Sequence, residues 1–385
     1  MKKSLLALAV LGGFAGVASA QSSVTLYGTI DLSGKYVKNE GSAKRLSLDN
    51  SGINSSQLGF RGVEDLGGGL KASFVLLSGI NADVGTANAK FWNRRATVSL
   101  SGGFGEVRLG RDYTPTFWNN TNFDAFGTNG LGDSSHVSQL DQFVGTWVRA
   151  DNSVGYFLPS NIGGVYGQFM AAASETTTNG LTGNNPGRYI GGRVGFAAGP
   201  FDVAAAAAQQ RIAGNTTVSA FSAPTADKRY NVFNLGGSYD FGVLKLLGHA
   251  SRSTLNDIPV GGASLDLKET RFSLSTVVPL GQGEIHAGYE RSKLTNNIGF
   301  ASNTAKQFAL GYVYNLSKRT ALYTTASILK NDDGFSPLAG TTVSATGAVT
   351  GLGSSLSVAG GTSQTAAPTL GGNSKGFEVG IRHFF

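Results

Sequence analysis

The sequence predicts an all-β protein, a closed antiparallel transmembrane β-barrel of about sixteen strands. Three observations lead there. The last nine residues, Phe377 to Phe385, alternate with period two: Phe377, Val379, Ile381 and Phe385 share one parity, and Glu378, Gly380 and Arg382 the other. The composition is unlike that of an ordinary soluble domain, with 56 glycines in 385 residues and only 14% charged residues against a usual ~25%. No apolar run after residue 20 approaches the roughly 20 residues that a spanning helix needs.

The N-terminus has a separate fate. Met1-Lys-Lys-Ser4 is basic, Leu5 to Val17 is apolar, and Ala18-Ser-Ala20 is a small-residue cleavage site. Residues 1–20 therefore read as a secretion signal, too short and too weakly flanked for an anchor. Cleavage before Gln21 leaves residues 21–385 as one barrel domain and lowers the formal charge from +7 to +5. With no cysteine, disulfides cannot hold this exported chain together, so sheet closure and lipid burial must.

Strands are expected at 24–31, 56–61, 70–77, 92–100 and 106–110, and onward to the C-terminus. Tight turns separate alternate pairs: Glu64–Gly69, Ser101–Gly105, Pro159–Gly163, Ala198–Pro200, Asp240–Gly242, Pro279–Gly283 and Asn315–Arg319. Longer polar segments lie at 38–54, 81–90, 113–148, 174–187, 212–228, 255–266, 295–303 and 331–374. Short turns on one rim and long loops on the other are the asymmetry of outer-membrane barrels. The last strand can pair with the first, which removes the open edges that hydrocarbon does not tolerate. The low-charge composition of 331–374 suits a mobile external loop.

Function is expected on lumen-facing parities and in segment 113–148, the one loop able to fold inward, around Phe123–Asp133. Parity points Gln57 and Arg61 into the lumen. It does the same for Arg149, Asp151 and Ser153. In 92–100 it selects Arg95 and leaves Arg94 on the apolar face, where an unpaired arginine costs ~2–4 kcal/mol at mid-bilayer. Arg94 must then lie near a headgroup interface, or the register shifts at this pair. Opposed arginines and a carboxylate across a neck set up a transverse field, and excess arginine favours anions. The four histidines (136, 249, 286, 383) have no metal spacing, and Gly102-Gly-Phe-Gly105 lacks the Lys-Ser/Thr of a phosphate loop. Neither a metal, a cofactor, catalysis nor a nucleic-acid partner is expected. The rival readings are a substrate-specific channel for sugars or an organic anion, a non-conducting barrel for adhesion or anchoring, and a secreted all-β hydrolase.

Ser23–Gly28 with Asp31, Leu58–Lys71, Phe104–Arg111, Arg188–Gly192, Leu310–Thr320 and Gly380–Phe385 resemble, in order along the mature chain, the general porins of Gram-negative β-proteobacteria. The resemblance implies a sixteen-stranded homotrimer in the outer membrane, a third external loop folded into the pore, and passive diffusion of small hydrophilic solutes and inorganic ions. It also implies contact with outer-membrane lipid and lipopolysaccharide, and recognition of C-terminal Phe385 by the barrel-assembly machinery. Asn93-Arg-Arg-Ala96 looks like the family's paired wall arginines, which allows Arg94 as well as Arg95 in the lumen. Arg149 looks like a further wall arginine, and Asp124 stands at the loop's acidic position. Gln57 replaces a frequent arginine, and Leu77 stands near a frequent carboxylate. Losing one charge of each sign implies a weaker field with mild anion preference.

Overall fold

The computed structural model describes residues 23–141, 144, 146–174, 187–212, 228–260, 263–299, 301–332, 342–343, 349–350, 356–358, 368–369 and 371–385. The expected signal segment 1–20 lies outside the described residues. Sixteen antiparallel strands close into a barrel. They are β1 Ser23–Asn39, β2 Gln57–Gly67, β3 Leu70–Asn81, β4 Arg95–Gly102, β5 Gly105–Tyr113, β6 Arg149–Phe157, β7 Val165–Ala172 and β8 Tyr189–Ala198. The chain continues through β9 Phe201–Ile212, β10 Lys228–Asp240, β11 Lys245–Val260, β12 Ala263–Leu280, β13 Gly283–Asn296, β14 Asn303–Asn315, β15 Thr320–Asn331 and β16 Ser374–Phe384.

Closure runs through the terminal strands: β1 pairs with β16 from Thr29↔Phe384 to Asn39↔Ser374. Below that ladder, Gly28 and Phe385 exchange two backbone hydrogen bonds of 3.1 Å each. A Cβ on Gly28 would collide with the Phe385 ring and the Gln57 carbonyl, so the seam requires a bare α-carbon here. Alternation sorts the wall as a lipid-facing barrel needs. Phe377, Val379 and Ile381 are exposed outside, while Glu378 between them is buried within. On β4, Val98 and Leu100 face out, and Thr97 and Ser99 face in.

Four features depart from the sequence reading or add to it. β1 runs on to Asn39, and the short strand Arg45–Asn50 inside segment 38–54 pairs with its upper half. The expected loop 255–266 is mostly strand: β11 and β12 continue pairing through a register shift between Leu255 and Ile258, beside Asp257 at φ 64. In the alanine run, Ala204 and Ala206 are buried on the inner face, so only alternate residues of Ala204–Ala208 are presented to lipid. Within 331–374, the described residues Leu356 and Val358 pack into a buried cluster with Val37, Leu131, Val137, Ala305 and Leu329. Leu356 and Asn331 also exchange two hydrogen bonds of 2.9 and 3.1 Å.

The wall is uneven. Strands β4 to β8 have 8–10 residues, whereas β11, β12 and β13 have 16, 18 and 14.

Candidate pore constriction

The segment after β5 folds into the barrel. Thr114 caps helix α1 (Pro115–Asn122) by accepting from the Phe117 N–H at 3.3 Å, and Pro115 supplies a first-turn φ that suits a helix. Two 3-10 turns follow, Gly130–Gly132 and Ser134–Val137. The loop is held to the far wall by polar contacts at successive points. Asn119 donates to the Ala204 carbonyl and to Asn234 at 3.0 Å each, and the Ala125 N–H donates to Ser275 Oγ at 3.0 Å. The Leu131 N–H donates to Glu378 at 3.1 Å, and Gln307 Nε2 donates to the carbonyls of Leu131 and Asp133 at 3.3 and 3.1 Å. Near the loop's end Glu269 accepts from the Gln139 and Leu140 N–H groups at 2.8 and 2.9 Å, and Arg271 pairs with Asp141 at 2.5 Å. These buried wall charges keep the loop inside; each is matched by a loop donor or counter-charge, as a buried charge must be.

Between this loop and the near wall lies a neck of about 500 Å³. Arg94, Arg95, Arg149 and Gln57 line it together. The choice between Arg94 and Arg95 dissolves, because Arg94 precedes the β4 ladder. Its backbone N–H bonds the Leu77 carbonyl at 3.2 Å, and alternation binds only from Arg95 on. Arg94 and Arg149 each donate from Nη2 to the hydroxyl of Tyr113 at 2.9 Å. The Arg149 guanidinium also stands over the Tyr113 ring, 4.4 Å from its centre. Arg95 is neutralised: its Nε pairs with Asp112 at 2.7 Å, and Arg108 holds the other oxygen of that carboxylate at 2.6 Å. Among the described residues Arg94 and Arg149 have no carboxylate partner.

Three placements depart from the sequence reading. Arg61 is exposed lower in the lumen, four residues or ~13 Å along β2 from Gln57, with its guanidinium 5.5 Å from the Tyr27 ring centre, and it does not line the neck. Asp151 pairs with Arg111 at 2.6 Å and Lys90 at 2.5 Å. The register shift opposite Gly110–Asp112 inserts a residue near Asn152, which takes φ 53, so inward parity passes from Ser153 to Ala150 and skips Asp151. Asp124 faces the interior of the loop instead of the neck. Its carboxylate accepts from the N–H groups of Phe126, Thr128 and Ser134 at 2.9, 2.9 and 3.3 Å, knotting the turn together. Burial, reinforced by nearby Asp133, pushes the Asp124 carboxyl up to about 6. The carboxylate that does reach the neck is Asp133, which caps the second 3-10 turn through the Ser135 N–H at 2.7 Å. Burial pulls the imidazole of His136, one turn on, below its ordinary value.

A model of the Gram-negative porins matches residues 7–334. The chain belongs to the Gram-negative porin family. It is 40% identical over 393 residues to outer membrane porin protein 32 of Delftia acidovorans, covering all of both chains. It is 32% identical to an outer membrane porin protein of Bordetella pertussis, over 86% of this chain and 95% of that one. Among solved structures it resembles the anion-selective porin from Comamonas acidovorans, with TM-score 0.75, 36% identity and coverage of 95% and 100% of the two chains. This porin is thus an outer-membrane channel and not an enzyme.

Some residues that build the neck escaped the sequence reading. Tyr113 and Asp112 end a strand expected only over 106–110; carried two residues further, its alternation points Asp112 inward. Glu269 and Arg271 sit on the polar parity of β12, opposite Phe272 and Leu274, and were legible there. Asp133 carried no such signal, because loop residues have no parity.

Proposed function

We propose that this porin conducts small hydrophilic solutes and ions passively through a water-filled neck, with a mild preference for anions. The observation that carries the preference is the convergence of Arg94 and Arg149 on one neutral hydroxyl, that of Tyr113, against a single lining carboxylate, Asp133. Two uncompensated guanidiniums in a narrow passage raise the local anion concentration. The Comamonas porin, anion-selective by name, supports the same direction. Planar-bilayer recording tests it: stepwise ohmic current with a reversal potential on the anion side is expected in a salt gradient. A channel reversing on the cation side refutes the preference.

Tyr113, Phe117, Trp118 and Trp147 line the same neck as the arginines and pack on one another, with Tyr113 and Phe117 stacked at 5.7 Å between ring centres and Trp147 edge-on to Phe117. That aromatic wall favours, as a second reading, selectivity for organic anions with an apolar part. Saturable current block by benzoate but not acetate supports it, and equal behaviour of the two excludes it.

The finer partners belong to the same proposal. A homotrimer suits the short strands β4 to β8, where 8–10 residues leave the lowest wall for a neighbouring copy to cover. A trimer-sized band on unheated electrophoresis is expected, and a monomer alone refutes it. Phe385, fixed at the closing seam, is proposed as the residue read by the barrel-assembly machinery, and the outer wall as the surface that meets lipopolysaccharide.

A further inference from the structure

On the outer wall near the long-loop rim, five cations stand in a row across neighbouring strands. Arg291 on β13 is directly opposite Lys306 on β14, and Lys306 is directly opposite Lys330 on β15. Lys375 on β16 faces Ile328, one outward position from Lys330, and is in turn directly opposite Lys38 on β1. Each lies on the outward parity, in line with Phe308, Ile328 and Phe377. Like charges directly opposite one another destabilise a sheet. Yet among the described residues Arg291, Lys306, Lys330 and Lys375 form no ion pair and no side-chain hydrogen bond, while Lys38 is spent on the Ser42 carbonyl at 2.6 Å. A row of this kind is stabilised by an external anion that bridges it.

Two residues further along the strands, ~7 Å toward the membrane centre, the wall opens into an almost wholly apolar groove of about 610 Å³ with Lys375 on its edge. Ala326 and Ala287 leave it open, and Tyr36, Phe308, Ile328 and Phe377 wall it. Phosphate-sized charges above and an acyl-sized slot below are the two halves of one ligand.

We propose that this face of β13 to β1 is a binding site for an acylated phosphoglycolipid of the outer leaflet. Its phosphates bridge Arg291, Lys306, Lys330 and Lys375, and one acyl chain lies in the groove. The site deepens the lipopolysaccharide contact proposed above and rests on the outer-membrane placement of the barrel. A second copy of this chain fits the face less well, because the cation row would need an acidic counterpart on the outer wall. Cationic clusters at a membrane surface recruit anionic headgroups, and an apolar slot below adds the contribution of each buried methylene.

The test uses the purified full barrel in detergent, bis-phosphorylated hexa-acylated lipid A as probe, and native mass spectrometry as readout. Wild type should retain one lipid A per barrel, and the dephosphorylated lipid should be retained at least tenfold less. The Lys306→Gln, Lys330→Gln, Lys375→Gln triple variant should lose at least tenfold in retention. Ala326→Phe, which fills the groove and leaves the cations intact, should also lose retention. Both variants should keep wild-type conductance, since all four side chains face away from the lumen; that current, and heat-dependent migration on gels, report folding separately from lipid binding. Wild-type retention by the triple variant overturns the proposal, and wild-type retention by Ala326→Phe overturns the acyl slot. Complete displacement by millimolar inorganic phosphate would mean that any phosphate serves. A fall to monomers with unchanged lipid retention would make the face a subunit contact. Absence of current in wild type would refute the channel reading whatever the lipid does.

Discussion

Replacing Arg149 by alanine removes one of the two uncompensated positive charges in the neck. A cavity of about 500 Å³ has a radius of about 5 Å, so a permeating ion passes at roughly that distance from the guanidinium. In water-like dielectric the unscreened interaction is about 0.8 kcal/mol, and the ~10 Å Debye length at 0.1 M salt reduces it to about 0.5 kcal/mol. Removal penalises anions and relieves cations by this amount each, so the permeability ratio should move about fivefold toward cations. At 1 M salt the Debye length is ~3 Å and the shift should fall below about twofold. The assay is reversal potential in a planar bilayer under matched gradients at the two mean salt concentrations. Arg149→Lys should keep most of the wild-type ratio, although it gives up the bond to Tyr113. An unchanged ratio for Arg149→Ala at 0.1 M, with the channel open, would mean that ions do not pass this guanidinium, and the neck would have to lie elsewhere.

Other residues give contrasting outcomes. Asp133→Asn should shift reversal toward anions, whereas Asp124→Asn should leave it unchanged, because Asp124 is turned into the loop. The Asp124 carboxyl is raised from 3.8 to about 6, so its folded form holds its proton more tightly than the unfolded form. That contribution to loop stability, ~3 kcal/mol, is fully present below pH ~4 and lost as pH rises through ~6. Protection factors for hydrogen exchange in 123–134, which divide out the intrinsic pH dependence of amide exchange, should therefore be higher at pH 5 than at pH 8 in wild type and nearly pH-independent in Asp124→Asn. Glu269→Ala strips the acceptor from the Gln139 and Leu140 N–H groups, at about 1–3 kcal/mol for each buried donor left unpaired. Single-channel traces of that variant should flicker as the loop leaves the wall; a quiet trace would mean that the remaining contacts hold it alone. Gly28→Leu should block seam closure against Phe385 and lower the yield of heat-modifiable barrel, and an unaffected yield would show that the seam tolerates a side chain.

Much of this porin is written locally. Alternation at Phe377–Phe385, the glycine turns and the absence of long apolar runs set strand, turn and membrane environment, because each depends on neighbours one or two residues away and on the solvent outside. That local code places Gln57 and Arg95 on the pore side and Phe377 and Val379 in lipid. It stops where the ladder is broken. The extra residue at Asn152 flips parity and takes Asp151 out of the lumen, and no periodicity announces an inserted residue. The start of pairing at Arg95 frees Arg94 to share Tyr113, and that start depends on the Leu77 carbonyl of a neighbouring strand. The fate of the two loop acids is decided further away still. Asp124 and Asp133 have the same chemistry in the same loop, yet one is consumed by three N–H groups and the other is set in the neck, because Glu269, Arg271, Ser275 and Glu378 on distant strands fix how the loop lies. The sequence by itself determined a lipid-facing barrel with positive charge on its inner wall. Which charges meet across the pore is a matter of long-range contacts, made only when the sheet closes and the loop is drawn inside.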